Sequence, residues 1–207
     1  MQFTSWTGLA LVLLSAIGCN NTPADPVTTN TSNTSDQSAP SDQSAPAPQP
    51  VVQADIANWQ AVQEWVASQQ GKVVVVDVWS TSCLPCVKEF PHFVALHEEL
   101  ASEIACASVN IDYYGADDEK PEDIQPRVLK FLTSKGATMQ NFISSDPDEE
   151  VHKQIATAAI PAVLVYDRDG KLHTTFNNDD KAYGPEGFNY ADDITPLVKQ
   201  LLEPNRS

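Results

Sequence analysis

Positive charge is scarce in this chain: 12 Lys and Arg stand against 28 Asp and Glu, giving a formal net charge of -16 over 207 residues. Nucleic-acid binding needs clustered Lys and Arg that displace counterions from phosphates, and no basic stripe is present, so that class of function is excluded. Cysteine is scarce too. Four cysteines are too few for a disulfide scaffold, and their spacing is uneven: Cys19 near the start, Cys83 and Cys86 three apart, and Cys106 alone. The apolar run Leu9-Ala10-Leu11-Val12-Leu13-Leu14 is too short to cross a bilayer as a permanent helix.

What the N-terminal region does contain reads as a secretory signal: that short apolar run, then small residues up to Gly18-Cys19. Ala16-Ile17-Gly18-Cys19 resembles the bacterial lipobox, in which the cysteine becomes the lipidated first residue of the mature protein. Ala16 stands where that motif prefers Leu, and Met1 to Gly8 carries no Lys or Arg. The resemblance implies a signal peptide over residues 1–18 and a lipid on Cys19. From Asn20 to about Ala54 the chain is Asn, Thr, Ser, Asp, Gln, Ala and Pro, with the hexapeptide Ser35-Asp36-Gln37-Ser38-Ala39-Pro40 repeated at 41–46. Such a composition cannot bury a core. Residues 19–54 are therefore expected to be a tether, with a reach of roughly 30 to 35 Å as flexible coil.

The remainder, 55–207, is long enough for one core. Trp59, Val62, Trp65 and Val66 mark an amphipathic helix. Lys72 to Trp79, with four consecutive valines, reads as a strand buried on both faces. Val87, Phe90, Phe93, Val94 and Leu100 then recur at helical spacing, which places Cys83 at a helix start and Cys86 one turn in. Orphan N–H groups and the positive end of the helix dipole favour a thiolate there, so Cys83 is the expected nucleophile. Ile104 to Val109 is a second strand, and Pro121 to Lys135 a helix stopped by Gly136. Asp146-Pro147-Asp148-Glu149 is expected to cap a short helix. Ala162 to Tyr166 and Lys171 to Phe176 form a hairpin about Asp169-Gly170, and a last helix runs from about Asp192 to Leu202. Alternating strands and helices make the fold α/β.

These motifs in this order resemble the thioredoxin superfamily, and within it the extracytoplasmic thiol-disulfide oxidoreductases of TlpA/ResA type. The resemblance is carried by Trp79, Cys83-Leu84-Pro85-Cys86, Glu89 with Pro91, Asn110-Ile111-Asp112, and Ile160-Pro161 before an apolar strand and Asp-x-x-Gly-Lys. It implies a thioredoxin-like central mixed β-sheet flanked by helices. It implies a redox-active Cys83–Cys86 disulfide with Cys86 as the resolving thiol, no other cofactor and no metal. Pro161 would follow a cis bond, and Ile160, Pro161 and Trp79 would face substrate. The partners it implies are protein disulfides and a thiol electron donor in the membrane, with the protein held by its lipid on the periplasmic side. Ser82 stands where the family usually has Trp, and Leu84 is also atypical. The dipeptide between the cysteines helps to set a potential that spans about -270 to -120 mV among such proteins, roughly 7 kcal/mol of tuning.

Asp77 interrupts the valines, where a lone buried carboxylate is costly. Burial should raise its pKa, and its place on the strand leading to the cysteines makes it a candidate proton acceptor for Cys86. Glu89, three residues after Cys86 on the same helical face, is a second candidate. Cys106 among small strand residues reads as a buried, inert thiol. Two other functions use similar residues. A thioredoxin-fold metallochaperone holding copper or zinc through the same cysteines would need a placed histidine and, typically, a wider cysteine spacing; His92 and His97, five apart, turn away from each other. A peroxidase would need a lone peroxidatic cysteine after Thr or Ser with an Arg nearby, a setting neither Cys83 nor Cys106 has. Asp112 to Glu119 and Tyr183 to Tyr190 are expected to be solvated loops, the first at the carboxyl end of the sheet.

Overall fold

The computed structural model describes residues 51–179 and 181–203. The chain divides into two units, Met1–Pro46 and Ala47–Ser207. The expected signal peptide, Cys19 and the tether as far as residue 50 lie outside the described residues.

The second unit is built on a six-stranded sheet: β1 (Asp55–Ala57), β2 (Val73–Trp79), β3 (Ile104–Asn110), β4 (Gln140–Ser144), β5 (Ala162–Tyr166) and β6 (Leu172–Phe176). The spatial order is β1-β4-β3-β2-β5-β6. The first four pair in parallel, and β5 and β6 join antiparallel, so the sheet is mixed. All seven residues of β2 and of β3 are buried, as expected of central strands covered by helices on both faces.

Side chains alternate along a strand, and β2 divides its residues accordingly. Val73, Val75 and Trp79 pack with Cys86, Phe90 and Phe93 of α2 (Leu84–Leu100), with Ile124, Val128 and Leu132 of α3 (Pro121–Lys135), and with Val198 of α5 (Thr195–Leu202). Val74, Val76 and Val78 face the other way. They meet Trp59, Val62 and Val66 of α1 (Trp59–Ser68) and Val151 and Ile155 of α4 (Asp148–Ile155). Asp77 belongs by the same alternation to the face under α2.

The helix signals act as expected in α3. Pro121 occupies the first turn, the Asp123 carboxylate accepts from the Lys120 N–H at 3.0 Å, and Gly136 closes the helix in the left-handed region with φ +66°.

The structure departs from the sequence pattern in several places. β1 and β4, with three and five residues, are strands that the sequence pattern does not announce. Their pairing draws in the chain just before Asp55: Ala54 is buried and its carbonyl accepts from the Gln125 side chain at 3.1 Å. Asp146 does not cap α4, whose N-cap Pro147 makes no side-chain cap bond. Its carboxylate instead accepts from the Trp59 N–H at 2.8 Å and so holds the start of α1. Tyr183 to Tyr190 is a solvated loop only in its middle, where Gly184, Pro185 and Glu186 are exposed. Phe176, Tyr183 and Phe188 form an aromatic triangle with centroids 5.7 to 5.8 Å apart, and a π-helical turn, Tyr190–Ile194, leads into α5 with Tyr190 buried. Gly187 sits at φ +75°, which favours glycine, and a Cβ there would also press on the Asn178 side chain at 2.6 Å.

Candidate active site: a disulfide at a helix start and a buried acid

β2 ends at Trp79, and the turn Ser80-Thr81-Ser82 delivers the chain to α2. The turn is pinned by Asp112, just past β3. Its Oδ1 accepts from the Ser80 hydroxyl at 2.6 Å and the Thr81 N–H at 2.8 Å; its Oδ2 accepts from the Thr81 hydroxyl at 2.5 Å and from Arg127 Nε at 3.1 Å. Burial works against ionising this carboxyl. The hydrogen bonds from Ser80, Thr81 and Arg127 outweigh it and hold the pKa of Asp112 below the ordinary 3.8. Asp112 was expected on a solvated loop and is a buried anchor instead.

Cys83 is the N-cap of α2, and its Sγ accepts from the Cys86 N–H at 3.3 Å. A sulfur in that position is stabilised as a thiolate by the same N–H and by the helix dipole. Cys83 and Cys86 are joined as a disulfide with Cα atoms 5.3 Å apart. The two sulfurs differ in access: Cys86 is 3% exposed, whereas Cys83 lines a cleft of about 490 Å³ with Ser82, Leu84, Tyr114, His152 and Ile160. Leu84 is 80% exposed beside it. A second cleft of about 770 Å³ shares Pro85 and is closed by residues that include Asn178, Pro185 and Gly187.

The Ile160–Pro161 bond is cis, as the resemblance implies, and Ile160 stands on the cleft that Cys83 lines. Trp79 must be corrected. It is 0% exposed, with the tilted rings of Phe90 at 4.9 Å and Phe131 at 4.7 Å packed against it, so it cannot face substrate. Its odd position on β2 puts it on the face covered by α2, where it supports the helix that carries the cysteines.

Asp77 is 4% exposed. Burial pushes its pKa up to about 7; a hydrogen bond from Tyr190 opposes the rise and the nearby Glu89 adds to it. The Tyr190 hydroxyl donates to Asp77 Oδ2 at 2.5 Å, and the Tyr190 backbone N–H donates to Glu89 Oε2 at 3.2 Å. Glu89 Oε2 also lies 3.3 Å from His92 Nδ1. Both sequence-predicted acids therefore meet at one residue that sequence reasoning passed over. Cys106 is buried beside them, its thiol pushed well above its usual value by desolvation and by Asp77. Among the described residues no group of three or more His, Cys, Asp or Glu is placed to hold a metal ion.

One sulfur reachable from a cleft, bonded to one sealed beneath it, can pass its bond to another pair of sulfurs by exchange; with this sheet around it, that makes the protein a thiol-disulfide oxidoreductase of the thioredoxin superfamily. The family model described as Redoxin matches residues 40–192, more than half of the chain, and the chain belongs to that family. No curated protein matches it. Among solved structures, a thiol-disulfide isomerase from Corynebacterium glutamicum is 18% identical, covers 76% of this chain and 98% of its own, and superposes with a TM-score of 0.50. A DsbF homologue from Corynebacterium diphtheriae is 17% identical over 65% of this chain and 75% of its own, with a TM-score of 0.49. A thioredoxin-family thiol:disulfide interchange protein from Chlorobium tepidum TLS is 21% identical over 66% and 84%, also at 0.49. At these identities the likeness is one of fold.

Proposed function

We propose that the protein reduces disulfides of extracytoplasmic proteins, in the manner of the TlpA/ResA-type enzymes its motifs resemble, from a membrane to which a lipid on Cys19 holds it. The observation that carries the chemistry is the inequality of the two sulfurs; the buried Asp77, with a pKa near 7 on the strand that leads to them, supports the proton step. In the dithiol form, the Cys83 thiolate attacks one sulfur of a substrate disulfide in the cleft. A mixed disulfide forms and the other substrate sulfur leaves as a thiolate, which takes a proton from water. Cys86 then gives its proton to Asp77, with Glu89 as a second acceptor, and the Cys86 thiolate attacks the Cys83 sulfur. The second substrate sulfur is expelled, and the Cys83–Cys86 disulfide seen here is the product. Two electrons have passed from the enzyme dithiol to the substrate. A membrane protein bearing a dithiol returns them by the same exchange in reverse. Ile160, at the edge of the cleft, offers its backbone to the substrate strand.

The test is a Cys86→Ala variant expressed in the full chain, in cells. It should accumulate extracytoplasmic proteins bonded to Cys83 and released by dithiothreitol. Absence of adducts, or adducts formed through Cys106, would overturn the assignment.

A further inference from the structure

We propose that Tyr190 is a positioning residue that holds both acids of the site at once, Asp77 through its phenol O–H and Glu89 through its backbone N–H. The inference rests on the reading of Asp77 as the proton acceptor for Cys86. Four observations carry it. Tyr190 is 1% exposed, so neither donor can turn to water. Its ring is fixed against Phe93 of α2, centroids 5.5 Å apart. Its phenol oxygen is 2.5 Å from Asp77 Oδ2, across 113 residues of sequence. Its backbone N–H, at the first residue of the π-helical turn, reaches Glu89 Oε2, 101 residues away. That turn is set by Asn189, whose Oδ1 accepts from the Asp192 N–H at 2.9 Å, and by Asp193, whose Oδ2 accepts from the Asn189 N–H at 2.9 Å.

A phenol can only donate to a carboxylate, and a buried donor left alone would be costly. The bond is therefore strongest when Asp77 is ionised, the form that must receive the proton of Cys86. The other groups facing Asp77 oppose that form or are silent. From α2, Glu89 is a like charge; from β3, Cys106 is a protonated thiol and the register partner Ser108 donates its hydroxyl to Asn141; from β5, the register partner is Val163; Val198 of α5 and Ile194 of the π turn, in the core around Tyr190, are apolar. Among them Tyr190 supplies the donor that keeps the carboxylate available near neutral pH. The C-terminal segment thus sets the pH at which the resolving step runs.

Tyr190→Phe keeps the ring and removes the donor. In the full-length protein, resolution of a mixed disulfide with a model peptide is measured by rapid mixing from pH 5 to 9. For the wild type the rate should titrate with a midpoint near 7. In Tyr190→Phe the midpoint should move up by about one to two pH units, as expected when a charge-assisted hydrogen bond to the ionised form is lost. Asp77→Asn should abolish that limb, and the double variant should match Asp77→Asn. The carboxylic C=O band of Asp77, followed by infrared difference spectroscopy against Asp77→Asn, should show the same displacement without any turnover. Superimposed wild-type and Tyr190→Phe titrations would overturn the proposal. If Asp77→Asn leaves the rate profile unchanged, Asp77 is not the acceptor; the infrared midpoint still decides whether Tyr190 governs its ionisation. If Tyr190→Phe does not fold, replacing tyrosine by 3-fluorotyrosine gives a stronger donor, and the band midpoint should then fall. An unmoved midpoint would again overturn the proposal.

Discussion

Asp77→Asn should change the pH dependence of stability by an amount the structure fixes. The native pKa of Asp77 is about 7 against an ordinary 3.8. The folded protein therefore keeps a proton that the unfolded chain gives up within that window. Stability from this group is whole below about pH 4, falls as pH rises towards 7, and is level above it. Three units at about 1.36 kcal/mol each make a loss of about 4 kcal/mol. Asparagine retains an oxygen to accept the Tyr190 hydroxyl but has no charge to bury. Its own packing or amide cost is the same at every pH, so the difference between variant and wild type isolates the titration. Thermal unfolding of the oxidised proteins, followed by circular dichroism between pH 4 and 8.5, measures it. In a domain of this size 1 kcal/mol moves Tm by about 2 to 4 °C. The variant should therefore gain about 10 °C on the wild type between pH 4 and pH 8. A constant difference across the range would show that Asp77 is not forced to bury its charge, and with it the account of the acid would fall.

Under limiting iodoacetamide the reduced protein should lose Cys83 first, because Cys83 caps α2 and lines the cleft while Cys86 is sealed; mass mapping that finds Cys86 or Cys106 ahead contradicts this. Asp112→Ala should cost about 2 to 4 kcal/mol at pH 7 by stripping the turn of its charge-assisted bonds. Since the native pKa of Asp112 lies below 3.8, the gap to wild type should persist above that pH and close as pH falls through the native value in urea titrations. Trp79→Phe should leave KM for a protein disulfide unchanged, whereas Trp79→Ala should cost about 3 to 5 kcal/mol of stability; a tenfold KM change in a stably folded Trp79→Phe protein would restore direct contact with substrate. If the lipid on Cys19 is real, wild type should sediment with membranes and Cys19→Ser should not, and a soluble wild type whose N-terminus lies elsewhere would rule the anchor out.

The reach of sequence reasoning here follows the range of the interactions. The valine run and the cysteine pair are local patterns, so the central strand and the helix start at Cys83 could be read directly. Asp77 stood out because a carboxylate in an apolar strand needs a reason. Tyr190 did not, because nothing near it in the chain points to a partner 113 residues away. Asp146 beside Pro147 carries the signature of a cap for the next helix, yet its acceptor went to a helix that starts 87 residues earlier. The pattern names the residue type a helix start needs, not which helix start is near. β1 is three residues long and, among the described residues, pairs with β4 alone; neither has enough alternation to be told from loop. Trp79 was assigned to substrate by resemblance, although counting in twos from Val73 places it under α2.

Cys106 has a consequence for electron counting. A thiol exchanges with disulfides only as its thiolate, and burial together with the neighbouring Asp77 keeps this one protonated. The described residues thus hold three sulfurs of cysteine but a single two-electron couple: the native protein should take up two electrons from added reductant with one midpoint and leave no pair that contains Cys106. In denaturant the desolvation vanishes, the third thiol returns to an ordinary pKa, and shuffled pairs containing Cys106 should appear on the same timescale as the Cys83–Cys86 pair reopens. The fold itself, rather than any spacing in the sequence, keeps this odd sulfur out of the circuit.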